Sequence, residues 1–417
     1  MNDPSPERSA RAVPLAAAAP STGDSAPVPE VLLTRPFVLI LIATALFGLA
    51  FSAYFLFPKY LATELAADPA TIGALSAVTM FASVVFMPLV GVAVDRHRRR
   101  PLGTLGACVF ALASLGFLVV DDVGPLMWIL RALHGLAYTL FFIAFSTLAT
   151  DLVPPRRLGQ ALGLFGGVMI STNALGPLLA EWGALYWGWT SVFAGTAVSA
   201  GLAAVLTCFI TERAHAHVSE APLPSWAILA RPGLARVLVV ASLAGCAMGT
   251  VFTFYQPWAL TRGIEHVSSF LIGFAGCAMA VRFGLGSLAD RFGRRRIATL
   301  SLALYIVAPL SLIWVDTLGL VLAGCLLGVS HGLFFPALNA VALDYSGARE
   351  RGKAMAAYHG AFNVGFAGGS YALGYVAAAA NYATVFALAS AGCALAFVLL
   401  GTSRPRPAAA QKGDGGV

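Results

Sequence analysis

The chain has 417 residues, of which 59% are hydrophobic and 11% charged, with a mean hydropathy of +0.81 and a formal net charge of +7. One soluble core cannot bury that much apolar surface, so the composition excludes an ordinary soluble domain and indicates a membrane protein. The excess of basic residues lies at the ends of the apolar segments, where it sets topology, and it does not indicate a nucleic-acid partner.

Apolar runs of about 20 residues, the length that spans roughly 30 Å of hydrocarbon, recur from Pro36 to the end of the chain. Their many internal Gly and Ala residues favour closely packed helices over an outer-membrane barrel. The sequence therefore predicts an all-α integral membrane protein with twelve transmembrane helices, at residues 36–57, 71–94, 102–120, 125–150, 159–181, 189–211, 236–260, 268–289, 297–315, 319–343, 352–377 and 382–402.

The basic residues are distributed unequally between the two ends of these helices. If twelve helices place both termini on one side, 22 of the 26 Lys and Arg residues lie on that side, while Lys59 and Arg262 lie opposite and Arg131 and Arg282 lie within helices. The positive-inside rule then predicts that both termini are cytoplasmic. The preference for Arg over Lys is typical of a GC-rich bacterial gene, which indicates the cytoplasmic (inner) membrane.

Short motifs return along the chain at a nearly constant offset. GVAVDRHRRRP at 91–101 corresponds to GSLADRFGRRR at 286–296, and His134 in LHGL corresponds to His331 in SHGL. Several pairs in the same order indicate a duplicated half. The predicted parts are a disordered cytoplasmic tail (1–35), a first six-helix bundle (36–211), a cytoplasmic linker (212–235), a second six-helix bundle (236–402) and a C-terminal cytoplasmic tail (403–417).

Two six-helix halves, with G-x-x-x-D-R-x-G-R-R after the second and eighth helices, resemble the major facilitator superfamily of secondary transporters, and most closely its efflux and antiporter branch. The second copy of the motif fits fully, with Gly286, Asp290, Arg291, Gly293, Arg294 and Arg295. The first copy has Gly91, Asp95, Arg96, Arg99 and Arg100, but Arg98 stands where the family has glycine, so we expect its turn to be built differently. A helix-packing Gly-Pro of the antiporter branch is matched in part by Gly176 and Pro177.

The resemblance implies that the repeated motif gates the transporter. Topology and contact with anionic lipid explain the arginines but not the acids. Asp95 and Asp290 lie at the inner ends of their helices, where they could cap helix N-termini of the opposite half near Lys353 and Gln160 respectively. We predict a latch that forms only when the cytoplasmic side is closed; the alternative is that the motif serves topology alone.

In this superfamily the substrate lies near mid-membrane between the halves. Ionisable groups at that depth are costly, so those present are expected to face a wet cavity. Helical spacing places polar residues on common faces of the fourth, tenth and eleventh helices, and aromatic and polar residues end the seventh. The candidate cavity residues are Arg131, His134, Tyr138, Tyr255, Gln256, His331, Asn339, His359 and Asn363. The alternative for each is an interhelical hydrogen bond or, for Tyr255, an interfacial aromatic.

No acidic residue lies deep in any predicted helix, which makes the cavity neutral to basic and favours an anionic or carboxylate-bearing solute. His134 or His331 could carry a coupling proton. The sequence thus predicts a secondary active transporter that exports a small organic solute by alternating access, coupled to protons. Its expected partners are the solute, protons and membrane lipids, as a monomer with no cofactor or metal.

Other classes of function remain open at this point. One is a multidrug exporter of cationic or hydrophobic compounds, another is a polytopic membrane enzyme acting on lipids, and a third is a non-transporting sensor with the same fold. The enzyme requires a cluster of nucleophile, base or metal ligands at one membrane face, and the sequence shows none. GARERGKA at 347–354 nearly matches a phosphate-binding loop but follows a helix and ends in Ala, so ATP is not the expected energy source.

Overall fold

The computed structural model describes residues 32–154, 157–212, 232–285, 291–346 and 350–402. These ranges are almost entirely helical and contain no β-strand. The helices in chain order are α1 Arg35–Ala53, α2 Phe57–Thr63, α3 Pro69–Arg96, α4 Arg99–Gly116, α5 Pro125–Asp151, α6 Leu158–Cys208, α7 Pro232–Thr261, α8 Ser268–Leu285, α9 Arg294–Ser311, α10 Thr317–Asp344, α11 Arg351–Ala379 and α12 Tyr382–Gly401.

Breaks in the helices explain how these elements correspond to the predicted spans. A single 3-10 turn, Tyr54–Leu56, joins α1 to α2, because Pro58 has no N–H to donate to the carbonyl of Tyr54. The first predicted span is therefore a broken helix that continues to Thr63. In α6, Gly188 has φ 76° and ψ 169°, a conformation outside the helical region that divides the 51-residue element into the fifth and sixth spans.

The predicted all-α membrane class is confirmed. Within the described ranges, nine helical stretches are long and apolar enough to cross a membrane, and one of these is the divided α6. Helices α8 and α11 are the remaining elements and lie where spans are predicted. Large apolar side chains such as Leu89 and Leu112, 66% and 68% exposed, cover the outer surface, as expected for contact with lipid.

Buried apolar residues form two large clusters that follow the order of the chain. One contains residues between Phe37 and Ile210. The other contains residues between Leu234 and Leu400, together with Ala53, Leu56, Ala180 and Val192 from the first half. These four side chains lie toward one end of the bundle, so the two clusters meet there.

Small residues allow close helix packing both between and within the halves. Gly73 on α3 lies against the carbonyl of Ser370 on α11, where a methyl group has no room. Gly176 on α6 lies against Ser52 on α1 in the same way, and the Ser52 hydroxyl donates to the carbonyl of Thr172 at 2.6 Å. Gly176 therefore lies at a close contact between two helices, and Pro177 follows it within the helix.

Candidate functional site

A cavity lies between the two halves. The first half contributes through α1 to α5, and the second half contributes through α7 and α11. The aromatic lining residues are Phe51, Tyr54, Phe55, Phe110, Phe252 and Phe366, and the polar and charged ones are Ser76, Thr79, Thr253, Arg131 and His134. Tyr54 and Phe55 lie in the 3-10 turn between α1 and α2.

Arg131 is the charged residue among the described residues of the cavity lining, and its side chain packs against aromatic rings. Its guanidinium carbon lies 4.4 Å from the ring centre of Phe57 and 5.7 Å from that of Tyr54. Its Nε donates a long hydrogen bond, 3.4 Å, to the carbonyl oxygen of Leu75. No carboxylate of the described residues pairs with it, so its terminal nitrogens keep donors for an anionic group.

His134 lies one turn from Arg131 and also lines the cavity. Its Nε2 is 3.3 Å from the Ser114 hydroxyl, and its ring stacks on Phe110 with centroids 4.3 Å apart. Its Nδ1 is buried with no hydrogen-bond partner among the described residues. Tyr138, the third residue on this face, stacks on Phe51 at 4.3 Å and lies beside the cavity lining rather than in it.

The candidates on α10 and α11 do not join the same cavity. His331 Nδ1 is 2.6 Å from the Tyr305 hydroxyl. The ring of Phe335 lies 5.1 Å from His331 and 5.2 Å from His359, so the three form one aromatic cluster within the second half. The side-chain Oδ1 of Asn339 is buried without a hydrogen-bond partner in the described part of the chain, and Asn363 is partly buried on α11.

The α7 candidates Tyr255 and Gln256 are both fully buried. The Tyr255 ring stacks on Phe270 at 4.2 Å, inside the second half. Gln256 instead connects the halves, because its Nε2 donates to the carbonyl of Phe55 at 2.6 Å and its Oε1 accepts from the Lys59 amide at 3.1 Å. Neither lines the cavity in this conformation.

The repeated motif forms corresponding ion pairs in the two halves. Arg99 pairs with Asp151 at the end of α5, and Arg294 Nη1 lies 3.1 Å from Asp344 Oδ1 at the end of α10. These contacts stay within one half. Sequence reasoning missed Asp151, although its offset of 193 from Asp344 equals that of the neighbouring LGQA and RGKA motifs.

A second arginine of each motif binds the end of the last helix of its half. Arg100 Nη1 donates to the carbonyls of Cys208 and Ile210 at 3.3 and 3.0 Å. Arg295 Nη2 donates to the carbonyl of Leu400 at 2.6 Å. Cations at helix C-termini satisfy free carbonyls and interact favourably with the helix dipole. The motif loops therefore tie each half together internally.

The turn of the motif differs between the copies, as the sequence predicts. Gly293 has φ 93°, a conformation suited to glycine, whereas Arg98 at the matching position has φ −61° and ψ 135°, which any residue can adopt. Arg96 and Arg291 are exposed. Nothing described lies within 4 Å of a methyl group built on Gly91.

The predicted latch contact of Asp95 is not formed in this conformation. Asp95 is exposed and makes no hydrogen bond or ion pair with the described residues. Gly286 and Asp290 lie outside the described residues, so the second copy of the latch gains no structural account. Among the described residues, a group of hydrogen bonds between the halves lies at the opposite end, where Lys59, Glu181 and Gln256 take part.

Membrane-length helices, arranged as two halves around a cavity, define a polytopic membrane transporter. The chain belongs to the Major Facilitator Superfamily, whose sequence model matches residues 39–318 and 267–416. The family predicted from the repeated motifs is confirmed, and the membrane-enzyme alternative is wrong.

Relatives and solved structures agree with this assignment. The chain is 26% identical to multidrug resistance protein MdtG of Klebsiella pneumoniae, covering 81% of this chain and 84% of that one. It is 23% identical to the multi-drug resistance efflux pump PmrA of Streptococcus pneumoniae, covering 63% and 68%. Its fold matches the nucleoside transporter NupG with a TM-score of 0.73, at 16% identity over 89% of this chain and 100% of that one. It matches the human organic anion transporter MFSD10 (TETRAN) with a TM-score of 0.64, at 18% identity over 90% and 99%.

Proposed function

We propose that this transporter exports small organic solutes that combine an aromatic or apolar body with an anionic group, by proton-coupled alternating access. The supporting observation is the composition of the cavity. Aromatic rings from both halves line it. Among the described lining residues, Arg131 is the charged group and none is a carboxylate.

The chemistry of Arg131 argues for a carboxylate-bearing solute. A guanidinium presents donors in a planar fork that matches a carboxylate, and stacking on Phe57 holds the fork in place. A cation entering the same space would approach an uncompensated positive charge in a medium of low dielectric constant. The rings of Phe252 and Phe366 on the second half offer apolar contact for the body of the solute.

Orientation and direction come from other observations. The asymmetry of Lys and Arg supports cytoplasmic termini in the inner membrane, with the arginine-rich motif loops facing the cytoplasm. Export is supported by the relatives, since PmrA is named an efflux pump. In the described conformation, hydrogen bonds join the halves at the face opposite the motif loops, and Asp95 does not form the predicted latch. Both observations support an inward-facing state, and we propose that the transporter works as a monomer.

A second candidate is a multidrug exporter of cationic or hydrophobic compounds. The names of MdtG and PmrA favour it, and the aromatic lining suits hydrophobic drugs of either charge. The two candidate functions differ in the charge of the solute that would bind beside Arg131. Substitution of Arg131 therefore distinguishes between them.

The test is transport in inverted vesicles with an imposed pH gradient, using an aromatic carboxylate, its carboxamide and the matching amine. We expect the carboxylate to be carried best, and Arg131→Gln to reduce its transport about tenfold, as expected for the loss of one charge-assisted contact of ~1.4 kcal/mol. Arg262→Gln is the matched control, because that guanidinium carbon also lies 4.4 Å from a ring centre, that of Trp258, but is exposed. Preference for the amine, with Arg131→Gln unchanged or faster, would favour the second candidate.

A further inference from the structure

Lys59 and Glu181 form an ion pair at the face opposite the motif loops. Lys59 Nζ lies 2.7 Å from Glu181 Oε1, and the two side chains are only 15% and 6% exposed. Both residues belong to the first half, on α2 and α6. Their remaining hydrogen bonds, however, are made largely with the second half.

Glu181 caps a helix of the opposite half. Its carboxylate accepts hydrogen bonds from the backbone N–H groups of Val267 and Ser268 at 2.9 and 3.1 Å, and from the Ser268 hydroxyl at 2.5 Å. Helix α8 begins at Ser268, so the Ser268 N–H belongs to the N-terminal groups that have no partner within the helix. The Val267 N–H, one residue earlier, is shared with the carbonyl of Glu265 at 3.1 Å. A carboxylate there satisfies the donors and interacts favourably with the helix dipole. The first half thus supplies the N-terminal cap of a second-half helix.

Lys59 reaches the second half as well. Its Nζ donates to the carbonyl of Glu265 at 2.6 Å, and its backbone N–H donates to Gln256 Oε1 at 3.1 Å. Gln256 returns a hydrogen bond to the carbonyl of Phe55 at 2.6 Å. Donors and acceptors therefore cross between the halves in both directions around one buried ion pair.

We infer that Lys59 and Glu181 are gating residues that hold this face closed. The inference rests on the alternating access proposed above, which requires this face to open once in each cycle. Burial of an ion pair is stabilising only when every charged group is fully hydrogen-bonded. Here that condition depends on contact with the start of α8. When the halves separate, water replaces the lost hydrogen-bond partners. The contacts therefore raise the population of the closed state but still allow the face to open.

The experiment measures access to the cavity rather than transport. In a chain whose six native cysteines are replaced, Thr253→Cys places one thiol at a buried position of the cavity lining. A membrane-impermeant maleimide is then applied to the outside of intact cells. Glu181→Gln and Lys59→Met are each expected to raise the labelling rate about tenfold. This corresponds to a tenfold decrease in the equilibrium constant for closing this face, which raises the population of the open state by the same factor.

Two further variants separate a cap from a simple ion pair. The double variant Lys59→Glu with Glu181→Lys restores opposite charges but places an ammonium against the N–H groups of α8, so labelling should stay fast. Glu265→Gln is the matched control: this carboxylate is exposed on the same face, and its backbone carbonyl remains available to Lys59, so the parental rate is expected.

Parental labelling rates in Glu181→Gln and Lys59→Met would overturn the inference, and rescue by the charge swap would overturn the capping role. If Glu181→Gln does not accumulate in the membrane, Ser268→Ala removes only one donor and should still give a smaller increase. An unchanged rate in that variant would also count against the inference. Because the readout is labelling, failure here leaves the transport of aromatic carboxylates standing, and failure of that transport leaves the labelling result interpretable.

Discussion

The two halves of the transporter hold their motif loops with the same contacts but contribute different chemistry to the cavity. Arg99 and Arg294 each pair with the aspartate that ends the fourth or tenth span of their own half. The cavity shows no such correspondence. Three residues before His331, where the first half has Arg131 before His134, the second half has Gly328.

This difference indicates which features the two duplicated halves have in common. The motif contacts stabilise each half internally, which either half needs if it moves as a body, so the same pairs serve both. One cationic site is enough for the carboxylate-bearing solute proposed above. The first half supplies Arg131 and the second supplies the apolar walls of Phe252 and Phe366. The contacts of Lys59 and Glu181 are likewise made by first-half side chains with different groups of the second half, and they occur once.

The corresponding ion pairs offer the sharpest comparison of stability, because their burial differs. The side chains of Arg99 and Asp151 are 16% and 17% exposed, against 45% and 56% for Arg294 and Asp344. We expect Asp151→Asn to lower the free energy of unfolding by about 2 kcal/mol, between the values for exposed and buried pairs, and Asp344→Asn by less than about 0.5 kcal/mol. Unfolding in detergent, followed by tryptophan fluorescence, measures both.

A double-mutant cycle with Arg99→Gln provides the control. Changing either partner already removes the pairing energy, so the two substitutions together should cost less than the sum of their separate effects. Equal losses from Asp151→Asn and Asp344→Asn would show that the corresponding pairs are also equivalent in energy.

The two histidines give the second comparison. His134 lines the cavity beside Arg131 and has a buried Nδ1 without a described partner, whereas His331 Nδ1 is hydrogen-bonded to Tyr305. We expect His134→Ala to reduce proton-driven transport about tenfold, a loss of ~1.4 kcal/mol, and to flatten its dependence on pH. His331→Ala should keep the pH profile.

Solute exchange without a pH gradient is the control for the histidine variants, because it proceeds when the cavity is intact but coupling is lost. If His134→Ala and His331→Ala both retain full pH dependence, the coupling proton does not use either histidine.

The sequence predicted what depends on local patterns and missed what depends on distant partners. Apolar runs and the repeated motif predicted the membrane helices, the family and the unlike turns at Arg98 and Gly293. Helical spacing also put His331 and Asn339 on one face of α10, and His359 and Asn363 on one face of α11. Spacing cannot tell whether such a face turns to the cavity or, as for the two histidines here, to Phe335. Glu181 could be recognised only as an acid at a helix end, because its partners lie 86 and 87 residues away along the chain.

The smallest expected effect concerns two glycines of the same motif pattern. Gly293 has φ 93°, so Gly293→Ala forces a side chain into a strained conformation and should lower the free energy of unfolding by about 1 kcal/mol. Gly91 lies within helix α3 with open space around it, so Gly91→Ala should raise the free energy of unfolding by about 0.5 kcal/mol through helix propensity. Unfolding of the two variants in detergent measures both effects. The changes in the free energy of unfolding should have opposite signs if only the second-half turn depends on glycine. Stabilisation by both substitutions would mean that the turn at Gly293 relaxes to a conformation like that of Arg98.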